Sequence, residues 1–210
     1  MAPTRLPAQQ AGGAAEEAKP EARPVDFARC LGPEPSRSEA GGILLGAGLS
    51  GTVVSLHLVR SHGERPQRVS QAGVTVGRGL DGDLHGKTRA PGGRRQVLIV
   101  DRADLVRLGL QPGELREQIT VDFSDLNTLP AGTLLRIGSV TCELTGPCEP
   151  CTHIGGLVGV GDPHAFQHTL LGHRGQLARV TAIEGDGTIR VGDPVIPEGV
   201  STPAVHEQIG

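Results

Sequence analysis

The run "LTGPCEPCTHIGG", Leu144 to Gly156, carries the densest chemistry in the chain: Cys148 and Cys151 stand three apart, and His153 follows two residues on. The sequence holds four cysteines, Cys30, Cys142, Cys148 and Cys151. A structural zinc site takes four nitrogen or sulfur ligands, and Cys142, Cys148, Cys151 and His153 are near enough in sequence to supply them. Cys142, however, alternates with Val140 and Leu144 along one strand face, where a buried thiol behaves as a small hydrophobe. A redox pair needs its two cysteines where a strand passes into a helix, and Pro150 with the following "THIGG" is not expected to continue as a helix. A single loop thiolate is both a nucleophile and a soft-metal ligand, and nearby cationic or hydrogen-bonding groups favour it. His153, His85 and Arg174 are candidates for that role, and Gly155 and Gly156 would let a bulky ligand approach closely. The bland alternative is that both cysteines are inert residues of a surface turn.

The elements that must position this run are mostly strands. "GTVVSLHL" alternates Val54, Leu56 and Leu58 with Ser55 and His57, as a strand with one buried face does. "RQVLIV" is a continuous apolar run, followed by Asp101 as a candidate N-cap and by "RADLVRLGL", spaced for a short helix ending near Gly109. "EQITVDF" reads as a further strand. "TLLRIGSVTCELTG" reads as two strands about a turn at Gly138, with Leu135, Ile137, Val140, Cys142 and Leu144 on one face. "GDPHAFQHTLLGH" has Asp162 at a helix cap, Pro163 in the first turn and Gly172 past the end. "QLARVTAI", the turn "EGDG" and "TIRVGDPVI" read as a hairpin. Many short strands, few helices and no strict strand–helix alternation favour a mainly β fold, a closed or nearly closed barrel with short helices at its margins.

At 210 residues the chain suits one domain with tails. Residues 1–45, rich in Ala, Gly, Pro and Glu, bury too little apolar surface to offset ordering and are expected to form a disordered extension. The domain is expected over 46–197, with a flexible tail at 198–210. Three Phe and no Trp or Tyr leave little to stack on bases, and a net charge of -3 with scattered arginines argues against a nucleic-acid binder. The uncharged stretch Gly41–Val59 is long enough to cross a bilayer, but glycines interrupt it and its second half alternates like a strand, so no membrane span is expected. The N-terminus has no apolar leader, and few cysteines suit a reducing compartment, so the protein is expected to be cytoplasmic.

The cysteine run "TCELTGPCEPCTHIG" resembles the essential-cysteine loop of the MOSC family, the domain at the C-terminus of molybdenum cofactor sulfurases and of stand-alone bacterial proteins. The family's proline-preceded cysteine falls on Cys151, with Cys148 as a common companion. "GLDGDLHGK", Gly79 to Lys87, resembles the family's Gly-x-x-Gly-Asp-x-His element, and "RRQVLIVDRADL" its Arg-Gln-Val strand and helix. "LREQ", with Gln118 where the family often has Asn, and "RGQLARVTAIEGDGTIRVGDPV" resemble two further segments, all in the family's order.

The resemblance implies a β-barrel with the cysteine loop at one mouth, and two roles for the cysteine. In one, it carries persulfide sulfur from a cysteine desulfurase to a metal centre; in the other, it ligates molybdenum in a pterin cofactor and supports reduction of N-hydroxylated compounds, with a reductase as electron donor. Both put a soft sulfur beside a soft metal. On this reading Cys151 is the catalytic thiolate and metal ligand, and His85 joins it as a catalytic group. Asp83, Cys148 and His153 are cofactor-binding candidates. So are Arg95, Arg116 and Arg174, whose guanidinium groups match oxyanions bidentately, and Glu117 and Thr120 as pocket residues. Gly192 and Asp193 are expected to shape a turn. The family is also associated with pyridoxal phosphate through a separate domain of full-length sulfurases. With Lys87 the one lysine of the domain, pyridoxal phosphate is not expected on this chain. The alternative function is a non-catalytic binding module whose cysteines are inert or hold zinc.

Overall fold

The computed structural model describes residues 50–88 and 92–200. The proposed N-terminal extension and most of the C-terminal tail therefore lie outside the described residues. Among the described residues, eleven strands and four short α-helices follow one another, with one 3-10 turn at Leu126–Thr128. They are β1 (Gly51–Leu58), β2 (Gln67–Val69), β3 (Gln71–Thr75), β4 (Gly79–Leu80), α1 (Leu84–Thr88), β5 (Val97–Asp101), α2 (Arg102–Arg107) and β6 (Ile119–Asp122), continuing with β7 (Thr133–Ile137), β8 (Val140–Pro147), α3 (Thr152–Val158), α4 (Pro163–Thr169), β9 (Gln176–Ile183), β10 (Thr188–Arg190) and β11 (Pro194–Val200).

Seven strands close a barrel in the order β1, β11, β7, β8, β9, β5, β6 and back to β1. Closure leaves the barrel no unpaired edge. All its pairs are antiparallel except β5 with β6, which run parallel and are joined through α2. A parallel neighbour cannot be reached by a tight turn, so the chain must cross over, and α2 is that crossover. No helix among the described residues is long and apolar enough to cross a membrane.

The face predicted for the β7–β8 hairpin is the barrel interior: Leu135, Ile137, Val140, Cys142 and Leu144 are all fully buried. β5 is buried along its whole length. Val97 and Ile99 point into the barrel, while Leu98 and Val100 pack outward against Leu105 of α2, Ile154 of α3 and Phe166 of α4. Two buried faces explain why this strand reads as an unbroken apolar run rather than an alternation.

Four local expectations are corrected. In β1 a bulge between Val53 and Ser55 shifts the alternation, so Val53 rather than Val54 joins Leu56 and Leu58 in the core, and Ser55 and His57 are buried. Two residues opposing one on the partner strand reset the two-residue period. The segments "QLARVTAI" and "TIRVGDPVI" turn at Gly185–Asp186 but form no hairpin, because β10 leaves the barrel to pair with β3, and β11 pairs with β7 and β1. Gly187, at φ 63°, steers the chain there, and its carbonyl accepts from the Val74 amide at 2.8 Å. "THIGG" opens a helix after all, with Cys151 at its N-cap. Gly155 is needed for packing rather than for ligand access, since a Cβ there would lie 2.8 Å from Cα of Pro163 in α4.

Gly175 enters β9 at φ 80°, and a Cβ there would run into the Ile99 carbonyl and lie 2.7 Å from Cγ2 of Val100. Gly175→Ala is expected to lower stability by about 2 kcal/mol or more, from positive φ and collision together. Urea unfolding of the two proteins checks this; an unchanged midpoint would show that the β5–β9 junction is not tightly packed.

Candidate functional site

Cys151 leaves the end of β8 and caps α3, where it is solvent-exposed; Cys148 in the same loop is half-buried. The Cys148 amide donates to the Gly175 carbonyl at 2.9 Å, which ties the cysteine loop to the turn that carries Arg174. Both cysteines line a cavity of about 290 Å³ at the barrel mouth, together with His85, Arg95, Arg116, His153 and Arg174. Seven of the residues singled out in the sequence thus meet in one place. Gln118, the position that departs from the family pattern, is in the same wall.

His85 is held from behind. Asp83 is 1% exposed, and its Oδ1 accepts from both the His85 amide at 2.9 Å and His85 Nδ1 at 2.8 Å. Its Oδ2 accepts from the Val59 amide at 2.7 Å. Burial alone would raise the Asp83 pKa, but the His85 hydrogen bond and the two amides outweigh it, and the carboxyl titrates below its ordinary value. An ionised Asp83 draws the imidazole proton to Nδ1 and leaves Nε2 with the lone pair, the nitrogen that can take a proton. Gln118 Nε2 lies 3.1 Å from the same Nδ1, and its Oε1 accepts from the Leu98 amide at 2.8 Å, which orients the side-chain amide. Since Nδ1 cannot donate to Asp83 and accept from Gln118 at once, the shorter contact with a charged acceptor governs the tautomer.

Arg174 is only 9% exposed, and its Nε and Nη1 are buried without a hydrogen-bond partner among the described residues. Such donors are costly to leave unpaired, and they mark a place where an acceptor belongs. Arg95 lines the cavity from the chain just before β5, beside Arg94, whose Nη2 donates to the Thr145 carbonyl at 2.6 Å.

Three of the anticipated residues stand behind the wall rather than on it. Asp83 supports His85, as described. Glu117 is fully buried; its Oε1 accepts from the Gly113 amide and from Thr120 Oγ1 at 3.0 Å, while Oε2 has no partner among the described residues. Burial pushes the Glu117 carboxyl pKa up, against these hydrogen bonds and the Arg174 charge. Glu117 and Thr120 therefore brace the 113–117 turn that carries Arg116. Gly192 and Asp193 do shape a turn, with Asp193 Oδ2 accepting from the Arg190 amide at 2.7 Å.

Gln96 is a wall residue that the site reading omitted, although it stands beside Arg95 in the quoted "RRQVLIV". Its side chain bridges the cavity rim to β9, accepting from the Val180 amide at 3.0 Å and donating to the Gly93 carbonyl at 2.8 Å. Cys142 lies inside the barrel, its thiol pKa pushed up to about 12 by burial. It is thus separated from Cys148 and Cys151, and no group of three or more potential ligands for a metal occurs among the described residues.

Two outcomes follow. A thiol-alkylating reagent is expected to modify Cys151 first, Cys148 more slowly and Cys142 only after unfolding, as read by peptide mass mapping; early labelling of Cys142 would contradict the buried placement. A carboxyl with a lowered folded pKa holds fewer protons folded than unfolded, so the stability it adds is full above its unfolded pKa of about 3.8 and fades as the pH falls through the folded value. Asp83→Asn is expected to unfold at lower urea than wild type at pH 7, with the gap narrowing below about pH 4. A gap that is constant with pH would show that Asp83 is not held ionised by these contacts.

A sequence profile of the MOSC domain matches residues 81–196, more than half of the chain. Among solved structures, the YuaD protein from Bacillus subtilis is similar at 20% identity and a TM-score of 0.59, over 73% of this chain and 98% of that one. YiiM from Escherichia coli is similar at 18% identity and a TM-score of 0.53, over 72% of this chain and 71% of that one. YiiM from Geobacillus stearothermophilus gives 18% and 0.53, over 70% and 75%. These likenesses are likenesses of fold. No curated protein matches the sequence. With the profile spanning both the His85 element and the Cys151 loop that the fold brings to one cavity, the chain belongs to the MOSC domain family.

Proposed function

We propose that this protein binds molybdenum cofactor at the barrel-mouth cavity, with the Cys151 thiolate as the metal ligand. The observation that carries this reading is the exposed Cys151 sharing one cavity with Arg174, whose Nε and Nη1 are buried and unpartnered among the described residues. A soft sulfur suits molybdenum, and an unpaired guanidinium suits the anionic tail of a pterin cofactor, so the donor set fits the group. Arg174, Arg95 and Arg116 would hold the anionic part, and Cys148 and His153 would border the metal. When bound, the cofactor supplies a two-electron couple.

The chain's own residues bind and manage protons. Cys151 must be deprotonated to ligate, so metal binding releases its proton. His85, with Nδ1 committed to Asp83, holds or accepts a proton at Nε2 within the same cavity. This pairing of a redox centre with a proton carrier suits reduction of N-hydroxylated compounds, in which loss of the oxygen as water takes up two protons. A reductase would then be the electron donor, and the setting cytoplasmic.

One observation favours a second reading. A further thiol, Cys148, lines the same cavity, as a persulfide carrier served by a cysteine desulfurase would use it.

Both readings meet in one measurement, elemental analysis with intact mass on protein from a host that makes molybdenum cofactor. The wild type is expected to carry molybdenum and pterin, Cys151→Ser to carry at most about a tenth as much, and Arg174→Ala to fall by about tenfold. A mass gain of one sulfur, lost in Cys151→Ser, with no molybdenum, would favour sulfur carriage. Neither molybdenum nor added sulfur on the wild type would overturn both.

A further inference from the structure

Behind Arg116 and Leu157, which also border the Cys151 cavity, lies a second cavity of about 350 Å³. The loop between β1 and β2, the turn before β6 and the C-terminal end of α3 enclose it. Three guanidinium groups, from Arg65, Arg68 and Arg116, share this space with the apolar side chains of Leu157 and Val158. Arg65 and Arg68 have no side-chain hydrogen bond or ion pair among the described residues. Arg116 donates from Nη1 to the Glu64 carbonyl at 2.7 Å, and it is the one non-glycine residue with positive φ, 59°, among the described residues. A strained backbone that sets an arginine between two cavities is kept where position matters more than local stability.

The floor of the cavity is neutral. His57 is 3% exposed, with Nε2 3.3 Å from Ser55 Oγ and Nδ1 buried without a partner among the described residues. Burial first, and then the charge of Arg68, pull its pKa down to about 4, so it adds no positive charge at neutral pH. Glu64 and Glu114 also border the cavity, and Glu114 Oε2 accepts from the Gln111 amide at 2.8 Å. Two carboxylates against three guanidiniums leave an excess of about one positive charge, which suits a ligand of low negative charge rather than a polyanion. The volume matches a small molecule, and the polar and apolar walls call for one that is charged at one end only.

α3 joins the two cavities. Cys151 caps its start and Leu157–Val158 end it, a rise of roughly 10 Å over seven residues. We propose that the second cavity binds the anionic end of the substrate, a phosphate or carboxylate on an apolar body, held by Arg65, Arg68 and Arg116 with its far end directed along α3 toward Cys151. The word substrate rests on the cofactor reading above; the binding site itself does not.

The test is calorimetric titration of the full chain, free of molybdenum, with phenyl phosphate, inorganic phosphate and phenol, circular dichroism confirming that each variant is folded. Phenyl phosphate is expected to bind one to one, about tenfold or more tighter than either fragment, because both halves of the cavity contribute. Arg65→Ala and Arg68→Ala are each expected to weaken it by about tenfold, while Arg95→Ala and Cys151→Ser change it less than about twofold. The assignment is overturned by absence of saturable binding, by inorganic phosphate binding as tightly as phenyl phosphate, or by binding lost in Arg95→Ala but kept in Arg68→Ala. If phenyl phosphate binds as expected while the wild type never carries molybdenum, the cavity stands and the cofactor reading falls.

Discussion

The architecture depends on β5 having no solvent face. Val97 and Ile99 fill the barrel from one side of the strand, and Leu98 and Val100 anchor α2, α3 and α4 on the other. Helices of six or seven residues are too short to persist alone, and they hold their place because apolar side chains on them are buried against this strand. Since Cys151 caps α3, the position of this exposed sulfur is inherited from the packing of β5. The barrel is thus the support from which the loops present the candidate site residues.

Backbone ties then convert this packing into a defined cavity. The Cys148 amide is bound to the Gly175 carbonyl, the Leu98 amide to Gln118 Oε1, and the Val180 amide to Gln96 Oε1. Each ties a segment that carries a cavity residue to a strand or to the turn that enters one. Asp83 performs the same service for His85, with both carboxylate oxygens occupied. Unpartnered groups are as informative: Arg174 Nε and Nη1, Glu117 Oε2 and His57 Nδ1 are four of the six buried polar atoms without a partner among the described residues, the others being Ser139 Oγ and Gln176 Oε1. Arg174 borders the first cavity and His57 the second, so much of the unspent hydrogen-bonding capacity collects around the turn that holds Arg116.

What could be read in the chain follows from whether the signal was local. The β7–β8 face was legible because alternation about a turn at Gly138 is a property of neighbouring residues. The α4 cap was legible for the same reason: Asp162 Oδ1 accepts from the His164 and Ala165 amides at 2.9 and 3.0 Å. α3 was not. Two central glycines lower its helix propensity; the fit of Gly155 against Pro163 explains the first, while a Cβ at Gly156 would meet open space. The same limit hid the bulge in β1 and the departure of β10 to pair with β3. For the bulge and for β10 the deciding partner is distant in sequence, Val121 for Val53 and Ala72 for Ile189.

The linear sequence by itself determined the family and the strand-rich class and marked the candidate loop, since motif order, two-residue alternation and a proline-preceded cysteine are carried by short segments. Tertiary structure decided which of the chemically able residues share a cavity, that Glu117 and Thr120 brace the wall from behind, and that Arg116 stands between two cavities. The physical reason is that a side chain's neighbours in a closed barrel are set by strand register and crossover, which bring together residues far apart along the chain, such as His85, Cys151 and Arg174.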